Sequence, residues 1–378
     1  MSVVQAVPVE GRREETRAFH AAPALLYRNA WPAWTPLPPG EEARLFDRAR
    51  NPSLAETEHA RWVALRDARP VGRVAAFAPR APEDVGYFGT FECIDDQPAA
   101  RALLEAVETW LLARGRRTCI GPLLVNPRDQ IGLLTDGFDR PAALLTPYNP
   151  PYYTRLLEAA GFAVAVRLRG YAWVPDMMDV RGMQELDRRL TGRGSITIRT
   201  IDPRRLAAEA LVIADLINRS FGATWRWCPI TRAEALQLAL DLRPILEPGL
   251  CLVAEDAGGP CGVALTVPDA NWLLRRIGGD GRLWPFGWLK ALWLRHRIPW
   301  ARVMALAVLP GKRATGTVIR LMLATHRALL VRGFQYAELS QVFDDNVMMR
   351  RLLERMGCAV VKRYAVYERG LERGTHAC

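Results

Sequence analysis

Arg155–Arg167, "RLLEAAGFAVAVR", and Arg351–Arg363, "RLLERMGCAVVKR", share an R-L-L-E string, a glycine, an A-V pair and a final arginine at a constant offset of 196. Each predicts the end of a helix, a glycine cap and then a strand. Two further pairs fall in the same order. Trp62–Ala75, "WVALRDARPVGRVA", matches Leu252–Leu265, "LVAEDAGGPCGVAL", at an offset of 190, each as two strands joined by a tight polar turn. Leu111–Gly121, "LLARGRRTCIG", matches Leu329–Leu339, "LLVRGFQYAEL", at an offset of 218, helix end to strand. R-L-L-E alone is a common helical string, but three pairs in one order identify a duplication. A duplicated chain folds as two copies of one unit, and no other feature limits the architecture as much.

The offsets also locate insertions. The rise from 190 to 218 gives the second copy about 28 extra residues between its hairpin and the following helix. The fall to 196 gives the first copy about 22 extra residues between its fifth strand and last helix. Each copy then predicts hairpin, strand, loop, helix, strand, helix, strand, with a first domain over 1–180, a linker over 181–195 and a second domain over 196–378. The length of 378 residues suits two domains, and 50% apolar residues supply their cores.

Several chemistries find no pattern here. The seven cysteines form no C-x-x-C pair, the five histidines form no H-E-x-x-H, and G-x-S-x-G is absent. No metal and no permanently bound cofactor are expected. The first residues, "MSVVQAVPVEGRREE", hold no apolar core of signal-peptide length, and no apolar run approaches the ~18 residues that span a bilayer. The expectation is a reduced, cytoplasmic protein.

Val308–Met322, "VLPGKRATGTVIRLM", predicts a strand, a basic loop with two glycines and a helix. Amides at such a helix start suit an anion. It is not a Walker loop, because Lys312 is followed by Arg313 and the earlier glycine of G-x-x-x-x-G-K-[ST] is missing. From Gly281 to Ala337 there is no Asp or Glu, while ten Lys and Arg (Arg282, Lys290, Arg295, Arg297, Arg302, Lys312, Arg313, Arg320, Arg327, Arg332) supply nearly all of the net +11. This stretch predicts a polyanion-facing surface. The first copy's corner, Tyr87–Leu104, "YFGTFECIDDQPAARALL", carries Asp95 and Asp96 instead and would repel a phosphate. The two copies thus divide into an anion-binding second half and a first half that is structural or holds a cationic amine.

The layout resembles the GNAT superfamily of N-acyltransferases, whose [Q/R]-x-x-G-x-[G/A] loop holds the coenzyme A pyrophosphate. Arg313 to Val318 matches that pattern except that Val318 replaces a small residue. The resemblance implies an α/β (α+β) fold of two tandem domains, each a twisted mixed sheet flanked by helices. It also implies acyl-CoA held along Val308, Leu309, Lys312, Arg313, Ala314, Thr315, Gly316 and Thr317. A closer resemblance, to the bacterial ceramide-synthase-like tandem acyltransferases, rests on "YFGTFECID", "LLTDGFD", "TPYNPPYYTRLLEAAGF", "LRPILEPGLCLVAE", "WPFGWLKALW" and "DDNVMMRRLLERMG", spread from about Phe46 to Leu371. It implies transfer of a fatty acyl group from a thioester to a sphingoid-base-like amine. Two departures, "GKRATGT" for an acidic-aromatic "EYRG"-like run and "GPLLVNPRDQIGLL" for an Asn-rich string, fall where donor and acceptor are expected and bear on the substrate.

Amide formation by direct attack requires a neutral amine, a base and an acid for the leaving thiolate. The base candidates are Glu92, which interrupts an apolar strand, and the Asp344–Asp345 pair; Asp345 is equally suited to cap the next helix. Asn346 starts that helix or contacts the donor's amide arm. Tyr364 and Tyr367 are candidate acids or packing residues, and Tyr148, Asn149, Tyr152 and Tyr153 line an acceptor cleft or pack a turn. Cys93 and Cys358 lack a nearby histidine, which disfavours a thiol nucleophile. Residues 282–302, with Trp284, Trp288, Trp293 and Trp300 among basic residues, suit a packed cover, a peripheral contact at the inner face of the membrane, or an RNA surface. Two rival functions share the fold: an acyltransferase using aminoacyl-tRNA, and a non-catalytic coenzyme A-binding protein.

Overall fold

The computed structural model describes residues 3–372 apart from 12, 29, 38–39, 83, 129, 191–195 and 278–286. Arg282, Trp284 and the end of the expected linker therefore lie outside the described residues, as do the side chains of Trp288 and Ala314. The elements run β1 (Gln5–Pro8), α1 (Arg13–Tyr27), α2 (Glu41–Leu45), β2 (Thr57–Arg66), β3 (Arg69–Pro79), β4 (Val85–Cys93), α3 (Gln97–Leu112), β5 (Thr118–Gly121), β6 (Leu133–Asp136), α4 (Tyr153–Ala159) and β7 (Ala163–Trp173). They continue with α5 (Arg181–Leu190), β8 (Thr197–Thr200), α6 (Leu206–Phe221), α7 (Arg232–Leu242), β9 (Cys251–Asp256), β10 (Gly259–Pro268), α8 (Ala270–Ile277), α9 (Gly287–Leu294), β11 (Trp300–Val308), α10 (Thr317–Val331), β12 (Tyr336–Phe343), α11 (Val347–Arg355) and β13 (Ala359–Gly370).

By its contacts the chain forms two compact units, one from Met1–Leu168, Leu274–Gly287 and Lys362–Cys378, the other from Arg169–Leu273 and Trp288–Val361. This grouping is not the chain-order division at 181–195. Most of β13 lies in the first unit because Tyr367 to Gly370 pair with Gly121 to Thr118 of β5, and Arg363 to Ala365 pair with β6.

The first unit's sheet is antiparallel from β1 through β4, parallel between β4 and β5, and antiparallel onto β13. In the second unit β8 to β11 are antiparallel and β11 runs parallel to β12. One strand pattern twice is what the repeat requires. The insertions also sit where the offsets put them: α8 and α9 precede β11 in the second copy, and β6 follows β5 in the first. The expected mixed sheets flanked by helices are present.

Register makes the equivalence residue by residue. Gly72 pairs with Cys93 and Gly262 with Val308, and the next amide donates to the strand before the glycine in both copies (Ile94 to Val71, Leu309 to Cys261). Glu92 thus corresponds to Ala307. Both fourth strands bulge, with Thr90 and Phe91 opposite Val74, and Met304 extra between Val303 and Ala305. Among the described residues the regular parallel register ends at Tyr87–Ile120 and at Val303–Leu339. A bulge re-aims side chains and interrupts pairing, so the regular parallel ladder stops beside the corner in each copy, while the Leu123 amide still donates to the Phe88 carbonyl at 2.7 Å in the first.

Apolar faces explain the helices. Leu103, Leu104 and Val107 of α3 and Leu156 and Leu157 of α4 pack on one face of the first sheet with Val74, Ala76 and Phe88. In the second unit α10 and α11 cover one face through Leu321, Met322 and Leu353, and α6 covers the other through Ile213, Leu216 and Ile217. The glycine caps expected in the repeated R-L-L-E segments have left-handed backbones, Gly161 at φ 83° and Gly357 at φ 90°.

A Cβ on Gly357 would lie 2.2 Å from the Met177 carbonyl oxygen, whereas on Gly161 the nearest atom is 3.5 Å away in the Arg369 side chain. Gly161→Ala is expected to cost about 1 kcal/mol from backbone strain alone. Gly357→Ala should cost about 3 kcal/mol, strain and overpacking together. Urea unfolding of both variants checks the order.

Candidate active site

Glu92 interrupts the apolar strand β4 directly opposite Arg73 of β3. Its side chain keeps 15% exposure. Tyr27, at the end of α1, donates to its Oε2, and Tyr153, the first residue of α4, donates to the same oxygen at 3.0 Å. The two hydroxyls lie 3.1 Å apart, and the Tyr153 hydroxyl also accepts from the Cys93 amide at 2.8 Å. Tyr152 donates to the Cys93 carbonyl at 2.9 Å. Trp34 stacks on Tyr27 with ring centroids 5.3 Å apart.

Arg73 lies behind the carboxylate, its Nη2 3.9 Å from Glu92 Oε1. Its Nη1 donates to the Phe19 carbonyl at 2.9 Å and pairs with Glu42 of α2, whose other oxygen is 3.1 Å from His20 Nδ1. The guanidinium is thus shared by two carboxylates and is closer to Glu42. Burial pushes Glu92 up to about 7, against the lowering influence of Arg73 and the two tyrosines. Burial also raises Glu42, but Arg73 and His20 outweigh it, and its carboxyl falls below the ordinary range. Burial, with Glu92 adjoining, holds the Tyr27 hydroxyl well above the usual range, and Tyr153 is raised by burial and by Tyr27. The result is a carboxyl raised toward neutrality, ringed by hydroxyls that keep their protons.

The expected donor corner takes the form of a 3-10 segment, Pro310–Thr315, ending at Gly316 with φ 82° before α10. Lys312 pairs with Asp256 at 2.6 Å. Arg313 donates to the Ser220 carbonyl at 2.8 Å and to that of Val308 at 3.3 Å. Thr315 donates to the Lys312 carbonyl and meets the Thr317 hydroxyl at 2.8 Å. Val308 is buried at the strand end, Leu309 continues the chain, and of Ala314 only the backbone is described. Leu309, Pro310, Gly311, Lys312 and Arg219 line an open groove of about 510 Å³. The cations serve the loop's own shape as well as its charge.

The remaining expected residues scatter. Asp345 is exposed, and Asn346, also exposed, caps α11 by accepting from the Met349 amide at 3.2 Å. Asp344 pairs with Arg169 at 2.6 Å. Tyr364 is buried in β13 beside Leu134 in the first unit, and Tyr367 lies 3.5 Å from Glu158. Asn149 is fully used in binding the Leu134 backbone and the Pro150 carbonyl, and Tyr148 donates to the Phe138 carbonyl at 3.1 Å. The structure therefore gathers Glu92, Tyr152 and Tyr153, and adds Tyr27, Arg73 and Glu42. Arg73 had a signal in the sequence: it and Glu92 each interrupt apolar strands that a hairpin-and-strand layout places side by side. Tyr27 had none, lying outside the repeat. Burial pushes the Cys358 thiol up to about 12 and raises Cys93 too, which leaves neither as a ready nucleophile.

No family model matches the chain. It is 30% identical over 371 residues to Escherichia coli (strain K12) protein YghO, spanning 94% of this chain and 93% of that protein. It is also 30% identical over 374 residues to the bacterial ceramide synthase of Caulobacter vibrioides (strain NA1000 / CB15N), spanning 94% of this chain and 95% of that one. The chain belongs to the bacterial ceramide-synthase-like acyltransferases. A tandem GNAT protein from the clavulanic acid biosynthesis pathway superposes with a TM-score of 0.56 at 13% identity, over 98% of this chain and 99% of that chain. That match shows the tandem GNAT fold. Membership in this family supports an acyltransferase over a protein that only binds coenzyme A.

Because the fold raises Glu92 to about 7, it favours the protonated form. The associated stability is complete below the unfolded value near 4.5 and is lost as pH rises through about 7. Glu92→Gln should therefore melt above the parent at about pH 8, with the gap closing by about pH 5. Thermal melts of both proteins across that range measure it.

Proposed function

We propose that this acyltransferase forms an amide by moving an acyl group from acyl-CoA to a lipid-like, sphingoid-base-like amine, with Glu92 as the base. The observation that carries this is Glu92, whose carboxyl burial pushes up to about 7 and whose side chain keeps 15% exposure. The amine nitrogen attacks the thioester carbonyl, a C–N bond forms, the C–S bond breaks, and Glu92 takes the proton that nitrogen loses. The thiolate leaves with a proton from solvent or from a tyrosine. Base strength matched to working pH is what such a step needs. The acceptor class is supported by the name of the Caulobacter relative. Such an acceptor partitions into membranes, so the proposal includes peripheral membrane access. Among the described residues no helix is long and apolar enough to cross a bilayer.

The acid-free stretch lends an aminoacyl-tRNA donor less support than its composition implies. Lys312, Arg320 and Arg332 pair with Asp256, Asp187 and Glu247, and Arg302 is buried. Much of that charge is met within its own unit.

Incubation with acyl-CoAs and long-chain amines, read by mass spectrometry, tests the reaction. The rate should rise with pH through about 7. Glu92→Gln should lose about 10²-fold or more in kcat and the pH limb with it. A variant of near-normal rate would return Glu92 to a structural role.

The corner Val308–Thr317, with Asn346, is proposed to bind coenzyme A within its own unit, its amides and Lys312 meeting the pyrophosphate. Calorimetry with coenzyme A should find Lys312→Ala about tenfold weaker at unchanged stability, as for one lost charged contact. Arg313→Ala should weaken binding and also lower the melting temperature, because the Ser220 and Val308 carbonyls lose their donor.

A further inference from the structure

Helix α9 displays Leu289, Leu292 and Trp293 at 47%, 49% and 61% exposure. Spacings of three and four residues put all three on one face. Together they form an exposed apolar stripe. The residues that follow it, Arg295, His296 and Arg297, are exposed in a short 3-10 turn, as is Lys290 on the helix itself. The Arg297 guanidinium stands 4.2 Å from the Trp293 ring centroid, and Arg295 Nε donates to His296 Nε2 at 2.9 Å. No Asp or Glu occurs between Gly281 and Ala337.

From this combination we infer that α9 and the turn after it, residues 287–297, dock on an anionic lipid surface. Leucine side chains enter the acyl boundary, tryptophan sits at the headgroup level with its arginine, and Arg295 and Arg297 meet lipid phosphates. Neither half suffices alone: a few apolar side chains or a few cations bind weakly, and stable peripheral binding takes both. Charge selects among other occupants. A second copy of the chain would bring the same cations face to face. RNA stacks on aromatic faces, and two of the three exposed apolar residues are leucines, which offer none. The exposure of the stripe also removes the packed-cover alternative for these three residues.

The inference deepens the lipid-acceptor reading, but its test uses no acyl transfer, so either can fail alone. Cosedimentation of the full chain is measured with phosphatidylcholine vesicles, with and without roughly 30 mol % phosphatidylglycerol, at low and high salt. Binding should be at least about tenfold stronger to the anionic vesicles and fall with salt. Leu289→Ser/Leu292→Ser/Trp293→Ser and, separately, Arg295→Ser/Arg297→Ser should each lose about tenfold or more, with the parent's melting temperature. The arginine variant changes only exposed side chains and keeps the test sound if the apolar triple folds poorly. Equal binding to both vesicle types, retained binding by the arginine variant, or binding to RNA with none to vesicles would overturn the inference.

Discussion

Burying a carboxylate obliges the fold to surround it, because an ion withdrawn from water without partners costs several kcal/mol. Glu92 therefore determines what several distant segments must supply. α1 ends at Tyr27, α4 begins at Tyr153, and β3 brings Arg73 to the same place. Arg73 is itself buried and needs Glu42 and the Phe19 carbonyl. The chain of requirements ends at His20, which is partly exposed. Burial pushes Glu92 up to about 7, and Arg73, which stands closer to Glu42, offsets that rise only in part.

The two copies show how one framework takes on different chemistry. At equivalent places in the register the first copy has Glu92 and the second has buried Ala307. After the strand, the first copy caps α3 at once, through Asp96 accepting from Ala99 at 2.8 Å. The second interposes Pro310–Thr315 and starts α10 from a left-handed Gly316. The bulge and the early end of the parallel ladder are common to both, so the difference lies in side chains and loop length, the parts that change most cheaply.

Charge gives the clearest case of a sequence pattern changed by folding. The stretch from Gly281 to Ala337 lacks acids along the chain, but Asp187, Glu247 and Asp256 come to Arg320, Arg332 and Lys312 from outside it. Among the described residues Lys290, Arg295, Arg297, Arg313, Arg327 and Arg332 remain exposed, and Arg295 and Arg297 adjoin exposed apolar side chains.

The order of the elements, the duplication, the two insertions and the glycine caps at Gly161 and Gly357 were legible in the sequence, since period, turn residues and repeated strings act locally. Glu92 was legible as a charge interrupting an apolar strand, and Tyr152 and Tyr153 through their family string. Only the tertiary structure gave them Tyr27 and Glu42, assigned Asn346 rather than Asp345 as the helix cap, and used up Asn149 in backbone bonds. It also put most of β13 with the first unit, through strand pairs that join residues more than 200 positions apart. Local patterns fix conformation a few residues at a time. Burial and pairing depend on which surfaces meet, and that is decided only when the whole chain has closed on itself.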